Sequence, residues 1–370
     1  MKRKAKQIPW AKPDFWGNEI RYVTNALEST WISGGEYVDR LENKFQRILG
    51  KRHALAVSNG TTAIHLAYLG LGLKPGDEII VPGFSFMAVA NVALHMGLKP
   101  VFAEVEPDTW CLSAKTLPRY ISSKTKAIVP IHTYGNMCDM DAIMKIANKK
   151  GIAVIEDCAE SLFSKHKGKY CGTFGKVNTF SFHATKTITT GEGGLVVTDS
   201  DELHRVMSLY RSHGMERGRK WYWHELPGHN FRLTNFQAAM GVAQLERIKP
   251  ILSGRKRVFE EYKKHLNNID GIVFQKIEKH VEPVIWTVAL KLSSKAFPGG
   301  RDHVIRRLKE KGIETRPGFY ASSLLKMYGK HTLPISEETS ENVISLPTFP
   351  TLKSGDIGYI CEQLVKLRNG

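Results

Sequence analysis

Short apolar runs recur along the first two thirds of the chain, and the segments between them carry apolar residues at a helical spacing. The runs follow one another at intervals of roughly 20 to 30 residues. They are 54–57 (ALAV), 78–82 (EIIVP), 100–104 (PVFAE), 127–131 (AIVPI) and 152–156 (IAVIE). Runs of this length are typical of strands buried on both faces. Segments such as DMDAIMKIANKKG fit the crossover helices that parallel strands require. The pattern predicts an α/β fold with a mostly parallel central sheet flanked by helices.

Two more apolar runs, 178–182 (NTFSF) and 194–198 (GLVVT), lie closer together, and we expect one of them to be antiparallel to the rest. The pattern changes at 249–257 (KPILSGRKR). This segment marks either a domain boundary or a long surface helix that starts at a turn. We therefore expect a large domain over 1–248, whose N-terminal segment packs on the small domain, and a smaller C-terminal α+β domain over 249–370.

Composition narrows the class of protein. The 370 residues are 42% hydrophobic and 24% charged, as in ordinary globular proteins. No apolar run approaches the ~20 residues that span a bilayer, and the basic start of the chain lacks the apolar region of a secretory signal. The five cysteines are scattered and odd in number, which argues against a disulfide framework or a metal site. We expect buried thiols, no bound metal, no membrane contact and a cytoplasmic protein.

The net charge of +17 favours an anionic partner. The basic residues are spread along the chain, and no zinc finger, RNP motif or heptad-linked basic region accompanies them. The sequence therefore indicates a metabolite with several phosphates and no nucleic-acid partner.

Three polar features follow predicted strands, where open α/β sheets bind their ligands. Ser58–Thr62 (SNGTT) opens a helix and is either a phosphate-binding turn or a simple helix cap. Asp157 ends an apolar strand and is either part of a structural cap or ion pair, or an anion that faces a cationic ligand atom. Lys186, between an apolar run and Gly191–Gly194, is either a solvated charge or a desolvated amine able to form a Schiff base.

Taken together, these features match the parts of a pyridoxal phosphate site: a phosphate cradle, a carboxylate for the pyridine nitrogen and a Schiff-base lysine. The chain also resembles the DegT/DnrJ/StrS-type sugar aminotransferases over almost its whole length. The resemblance is carried by STWISGGEYVDRLENKF, SNGTTAIHLA, HTYGNMCDMDAI, IEDCAES, SFHATKTITTGEGG, GHNFRLTNFQAAMGVAQLERI, IETRPGFY and SLPTFPTL. It implies the aspartate aminotransferase fold (fold type I), with pyridoxal 5'-phosphate as cofactor.

The resemblance also implies roles for individual residues. Lys186 would hold the cofactor as a Schiff base and, once free, move a proton, while Asp157 would keep the pyridine nitrogen protonated. The remaining cofactor contacts it implies are Phe86 on the ring face, Glu160 near the ring hydroxyl, and Gly60, Thr61 and Ser181 at the phosphate. Asn230 would reach the phosphate from a second subunit, so a homodimer would share its active sites. From the residues alone, Phe86 can also be a core residue and Asn230 a turn residue. We exclude His132 and His183 from the catalytic set.

For the substrates, the resemblance implies glutamate as amino donor and a nucleotide-linked keto-deoxy sugar as acceptor, in amino-sugar biosynthesis such as that of a lipopolysaccharide O-antigen. Glu160 is the residue that relatives forming GDP-perosamine often have, which favours 4-amination of GDP-4-keto-6-deoxymannose. Substrate contacts are expected at Trp31, Arg316 and Tyr320, although Arg316 can also be a surface arginine. Many relatives read Tyr-Pro-x-His after the Arg-Pro stretch, but here Tyr320 is followed by ASSLL, so the proline and the histidine are missing.

That departure keeps other acceptors open: a UDP- or dTDP-linked sugar aminated at C3 or C4, or a keto-cyclitol. Two other functions on the same fold are disfavoured. A dehydratase of this fold has histidine in place of the Schiff-base lysine, and a non-catalytic regulator has no need of Lys186, Asp157 and Ser181 together.

Overall fold

The computed structural model describes residues 7–216 and 220–369. The basic start of the chain at 1–6 lies outside the described residues. The helices are α1 Glu19–Glu28, α2 Glu36–Leu49, α3 Gly60–Gly70, α4 Ala88–His95, α5 Met140–Lys150, α6 Asp201–Arg211, α7 Asn235–Glu246, α8 Ile248–Leu266, α9 Gly300–Glu310, α10 Pro334–Asn342 and α11 Ser354–Val365. The strands are β1 His53–Val57, β2 Glu78–Pro82, β3 Lys99–Ala103, β4 Thr125–Ile128, β5 Ala153–Asp157, β6 Lys165–His166, β7 Lys169–Tyr170, β8 Val177–Ser181, β9 Gly194–Thr198, β10 Ile272–Phe274, β11 Val281–Glu282, β12 Val288–Leu292, β13 Arg316–Pro317 and β14 Val343–Leu346.

The central sheet has seven strands in the order β1-β9-β8-β5-β4-β2-β3. β9 pairs antiparallel with both of its neighbours, and the other pairs are parallel. The mostly parallel sheet and the single antiparallel strand among the later runs are confirmed. The apolar run 127–131 corresponds to β4, which starts two residues earlier, at Thr125, and ends at Ile128. The strand ends before Pro130, which has no N–H to donate.

Helices cover both faces of this sheet. In β1, Ala54 and Ala56 join one core cluster with side chains of α2, α5 and α7, whereas Leu55 and Val57 join a second cluster with α3, α4 and α6. Successive strand residues point to opposite faces, so a strand buried on both sides needs an unbroken apolar run. This explains why the runs in the sequence do not alternate with polar residues.

The C-terminal part forms a four-stranded antiparallel sheet in the order β10-β12-β14-β13, packed against α8, α9 and α11. The segment 249–257 lies inside α8, so it follows the second alternative, a long helix. Ile8 pairs with Ile313 and packs into the C-terminal core. The domain boundary at 248/249 remains a prediction.

The cysteines and the hydropathy of the helices can also be compared with expectation. All five thiols are buried and free, as expected. The Cys138 thiol donates to the carbonyl oxygen of Ile131 at 3.3 Å, and the Cys171 thiol donates to that of Ser161 at 3.0 Å. Within 7–216 and 220–369, no helix has the length and apolar character needed to cross a membrane.

Candidate active site

The polar residues singled out in the sequence meet at the carboxyl edge of the central sheet. Asp157 and Ser181 are the last residues of the neighbouring strands β5 and β8, and Lys186 follows β8. These three line one cavity of about 680 Å³, together with Gly60 and Thr61 at the start of α3. The expectation that strand ends would gather these groups is met because parallel strands place their carboxyl ends on one side.

One end of the cavity is built for an anion. The Asn59 side chain caps α3 by accepting the Thr62 N–H at 2.9 Å, which leaves the N–H groups of Gly60 and Thr61 without a partner in the helix. A Cβ on Gly60 would lie 2.8 Å from Cβ of Ser181, so only glycine allows the helix start to approach the serine this closely. The helix N-terminus and the serine hydroxyl therefore form a concave donor set suited to phosphate.

The other end holds buried charges. Burial raises the pKa of Asp157, against the opposing effects of the Ala159 N–H at 3.0 Å and the charge of Lys186. Burial lowers the pKa of Lys186, while the carboxylates of Glu160 and Asp157 act to raise it. Burial raises the pKa of Glu160 to about 7, although the charge of Lys186 and the Tyr134 N–H at 2.8 Å oppose this. A buried carboxylate of this kind is costly unless a cation meets it.

Behind Asp157, a network fixes its strand. The Glu156 side chain accepts three N–H groups of the 172–175 loop at 2.7–2.9 Å and pairs with Nε2 of His132 at 3.1 Å. Although burial alone would raise the pKa of Glu156, the hydrogen bond from His132 holds it below its usual value. The N–H of Cys138 donates to Nδ1 of His132 at 3.2 Å, so the proton of a neutral imidazole lies on Nε2. These donors and acceptors are used within the protein and position the strand that ends at Asp157.

Aromatic side chains form a wall of the cavity. Phe86 is 63% exposed and meets the edge of Phe319 with 6.1 Å between ring centroids, so it has a free face toward the cavity and is not a core residue. Phe319 stacks on Tyr134 at 5.1 Å, and Tyr134 stacks on Trp286 at 6.3 Å. The cavity is therefore polar at its two ends and aromatic along one side.

The candidate substrate residues divide into two groups. Arg316 lines the cavity, and its guanidinium pairs with Glu314. The Cζ atom of Arg316 lies 6.0 Å from the ring centroid of Trp10. Tyr320 packs against Arg301, at 5.5 Å, outside the cavity lining. Trp31 is 72% exposed and lines a separate surface cavity.

Asn230 also lies outside the cavity of its own chain. It is exposed, and its side-chain oxygen accepts the Nε–H of Arg232 at 3.0 Å. This placement leaves its side chain at the surface, where the expected contact with a second subunit requires it to be.

Sequence reasoning missed several residues that line the cavity. Tyr134, Trp10, Trp286 and Phe319 were not predicted, and His183, excluded above from the catalytic set, also lines it. Tyr134 has a left-handed backbone (φ 60°) next to Gly135, so the Tyr-Gly step after β4 was a usable signal. Trp10 and Trp286 come from distant parts of the chain and had no local signal.

The residues present fit pyridoxal phosphate. The donor set at the start of α3 suits its phosphate, Asp157 offers the anion that a protonated ring nitrogen needs, and Lys186 offers a desolvated amine. Phe86 supplies an uncovered aromatic face between these ends. These groups match the phosphate, the ring nitrogen and the carbonyl group of the cofactor.

Comparison with known proteins agrees with this chemistry. Residues 14–365 match the model of the DegT/DnrJ/EryC1/StrS aminotransferase family. The chain is 42% identical to a GDP-perosamine synthase of Escherichia coli O157:H7 (97% of this chain, 98% of the other) and 38% identical to one of Vibrio cholerae (96% and 97%). The putative sugar aminotransferase Spr1654 of Streptococcus pneumoniae, solved in PMP and PLP forms, superposes with a TM-score of 0.93 at 26% identity, over 98% of both chains.

Proposed function

The chain belongs to the DegT/DnrJ/EryC1/StrS aminotransferase family, and we propose that it moves an amino group from glutamate to C4 of GDP-4-keto-6-deoxymannose, forming GDP-perosamine. The fold and the family make it a pyridoxal phosphate-dependent sugar aminotransferase of fold type I. The observation that carries the reaction type is the single cavity that joins Lys186, Asp157 and the start of α3. The acceptor is supported by the two relatives named GDP-perosamine synthase, which align over nearly their full length.

In this proposal the cofactor is held at both ends. The N–H groups of Gly60 and Thr61 and the hydroxyl of Ser181 would bind its phosphate, and Phe86 would cover one face of its ring. When bound, the cofactor supplies an electron sink and a carrier for the amino group. The protein's task is then to orient reactants, exclude water and move protons.

Lys186 carries the proton transfer. Burial lowers the pKa of its amine, so a larger fraction is neutral near pH 7 than for an exposed lysine. A neutral amine in the cavity can take a proton from the substrate carbon that bears the nitrogen and would return it to C4′ of the cofactor, on the other side of that nitrogen. The backbone N–H of Lys186 donates to the carbonyl oxygen of His183 at 2.9 Å, and Nη2 of Arg255 donates to the carbonyl oxygen of Lys186 at 3.0 Å, which fixes the Lys186 backbone after β8.

Asp157 supports the same step electrostatically. Its carboxylate is buried and lacks a full counter-charge nearby, since the pKa of Lys186 is itself lowered by burial. A protonated ring nitrogen would supply that charge, and the carboxylate would in turn favour the protonated ring. Glu160, beside Tyr134, would exchange a proton with the ring hydroxyl.

The nucleotide would be attracted by charge. Its diphosphate is a multiply charged anion, and the chain carries a net charge of +17. Arg316 is the cavity-lining arginine that we assign to the sugar nucleotide, with Trp31 and Tyr320 as outer contacts.

We assign Asn230 to the phosphate of the partner subunit's cofactor, which makes the homodimer the active unit. Its exposed amide and its absence from the lining of its own cavity support this assignment. The five free, buried thiols support function in the reducing cytoplasm, in amino-sugar synthesis such as that for an O-antigen.

The acceptor can be tested by a half-reaction. Glutamate first converts the enzyme to the amine form of its cofactor, and the glutamate is then removed. The enzyme is mixed in separate reactions with GDP-, UDP- and dTDP-linked keto-sugars and with a keto-cyclitol. The acceptor is the compound that restores the visible absorption of the pyridoxal phosphate form. Lys186→Ala is the inactive control. We expect the response with GDP-4-keto-6-deoxymannose. A response to the keto-cyclitol or to another nucleotide alone would overturn the proposal.

A further inference from the structure

We propose that Trp286 is a positioning residue whose indole face holds the ε-ammonium of Lys186 when that amine is protonated and not covalently engaged. Nζ of Lys186 lies 3.6 Å from the centroid of the Trp286 ring. This separation is well inside the ~6 Å limit for a cation–π contact, and tryptophan is the ring that binds cations best. The inference rests on the proposed role of Lys186 as an amine that is alternately engaged and free.

The ring is fixed in place by its neighbours. Trp286 is 7% exposed, and its Nε1–H donates to the carbonyl oxygen of Thr185 at 2.7 Å. Tyr134 stacks on it, and Trp10 meets it edge-on at 5.6 Å with a 90° interplanar angle. The indole is therefore bonded to the residue that precedes Lys186 and has little freedom to turn away from the amine.

A buried arginine also ties the backbones of the two residues together. Arg255, in α8, is 4% exposed and donates from Nη2 to the carbonyl oxygen of Lys186 at 3.0 Å and from Nη1 to that of Trp286 at 2.7 Å. One rigid guanidinium thus sets the distance between the backbone of Lys186 and that of Trp286. Trp286 lies one hundred residues further along the chain than Lys186, so this contact depends on the packing of the C-terminal part.

The ring serves a purpose that the nearby carboxylates cannot. Burial and Arg255 act to lower the pKa of Lys186, and Glu160 and Asp157 act to raise it. The carboxylates titrate themselves, and each has its own partner in the proposed chemistry. The indole ring does not titrate, so it attracts the ammonium whenever Lys186 is protonated and gives the free side chain a resting place in the cavity.

The contact can be measured on the full chain without substrate. Lysine labelled with ¹³C at Cε is observed by NMR in protein that carries pyridoxamine phosphate, and Lys186→Arg identifies the Lys186 signal. A methylene beside the face of an indole ring is shifted upfield. We expect such a shift for Lys186, its loss in Trp286→Leu, and a fall of about one unit in the pKa of Lys186, a tenfold change in its protonation constant.

Two further variants separate positioning from folding. Trp286→Phe keeps an aromatic face and should restore part of the upfield shift and part of the pKa. Trp223→Leu removes a surface ring that lies 4.5 Å from Nζ of Lys220, and should leave the Lys186 signal unchanged. An unshifted Lys186 signal in the wild type, or the same shift and pKa in a folded Trp286→Leu, would overturn the inference. The assay contains neither glutamate nor sugar, so its failure is distinct from failure of the proposed reaction.

Discussion

The candidate site draws on two regions that differ in how the chain builds them. At the carboxyl edge of the sheet, Asp157 and Ser181 end neighbouring strands and are buried within one cavity with Lys186. The outer residues Asn230, Trp31 and Tyr320 are exposed and lie outside that cavity. The first region lies within one chain, and we expect it to carry the chemistry. We propose that the second acts with a partner subunit or a bound nucleotide, and we expect it to contribute affinity.

The largest effect should come from the sheet edge. Asp157→Asn keeps the shape of the side chain and removes its charge, so the ring nitrogen would no longer be held protonated. We expect kcat to fall roughly 10²- to 10³-fold, the loss typical of removing one preorganised electrostatic partner, while the cofactor still binds. Single-turnover absorbance changes with glutamate would measure this. Asp141→Asn, which alters a surface carboxylate paired with Lys167, is the matched control. Activity of Asp157→Asn within threefold of the control would contradict the claim that the sheet edge carries the chemistry.

Glu160 tests whether burial of a carboxyl group at the sheet edge lowers the free energy of unfolding when that group is ionised. Its pKa in the folded protein is raised from 4.5 to about 7, so between these values the folded chain keeps a proton that the unfolded chain releases. The stability it contributes is present below pH 4.5 and is lost as the pH rises through 7. From pH 5 to 8, cofactor-free wild type should therefore lose up to about 3 kcal/mol through this residue.

Urea unfolding at pH 5 and pH 8 measures that loss. Glu160→Gln should show a smaller fall in the free energy of unfolding over this range. Glu192→Gln, which replaces an exposed carboxyl at the same cavity, should keep the wild-type fall. Equal falls in all three proteins would contradict the burial of a protonated Glu160.

Asn230 tests whether the outer region acts across subunits. Asn230→Ala should weaken cofactor binding by tenfold or more, since a hydrogen bond to a charged group contributes roughly 1.5–3 kcal/mol. Subunits that carry Lys186→Ala are then mixed with subunits that carry Asn230→Ala. At a cofactor concentration too low to load the Asn230→Ala homodimer, a heterodimer has one site with both residues intact, so activity should return to about a quarter of the wild type.

The matched control mixes Lys186→Ala with Ser181→Ala. Both residues lie in the same cavity of one chain, so no site in that heterodimer is intact and activity should not return. Equal behaviour of the two mixtures would place Asn230 in its own chain's site or outside any site.

The smallest effects should separate Arg316 from Tyr320. Arg316→Gln removes a charge that lines the cavity, so the KM for the sugar nucleotide should rise by roughly tenfold, as for loss of a charge-assisted hydrogen bond. Tyr320→Phe, outside the cavity, should change the KM by about twofold or less. Both variants should leave the glutamate half-reaction unchanged, as steady-state and half-reaction assays will show. A larger KM effect at Tyr320 than at Arg316 would reverse the assignment.

The sequence was most informative where the chemistry follows from local structure. Apolar runs buried on both faces predicted the parallel strands, and a parallel sheet places the residues that end its strands on one edge. The proximity of Asp157 and Lys186 could therefore be predicted from the sequence alone. The start of α3 followed from the capping residues of SNGTT.

The rest depended on contacts between distant segments. Trp10 and Trp286 enter the cavity because the N-terminal segment and the chain beyond α8 pack beside the sheet, and neither carries a motif of its own. The same packing explains why 249–257 could be interpreted as a boundary or a helix. Tyr320 lay in a matching motif, yet its ring points to Arg301, which no sequence spacing encodes.

The most direct test of the account is chemical trapping at Lys186. Purified protein incubated with pyridoxal phosphate should develop visible absorption, and borohydride followed by proteolysis and mass spectrometry should find the reduced cofactor on Lys186. Lys186→Arg should lose both signals. Protein that stays colourless, or cofactor fixed to another lysine while Lys186 stays unmodified, would contradict the central claim that the sheet edge of this chain is a pyridoxal phosphate site.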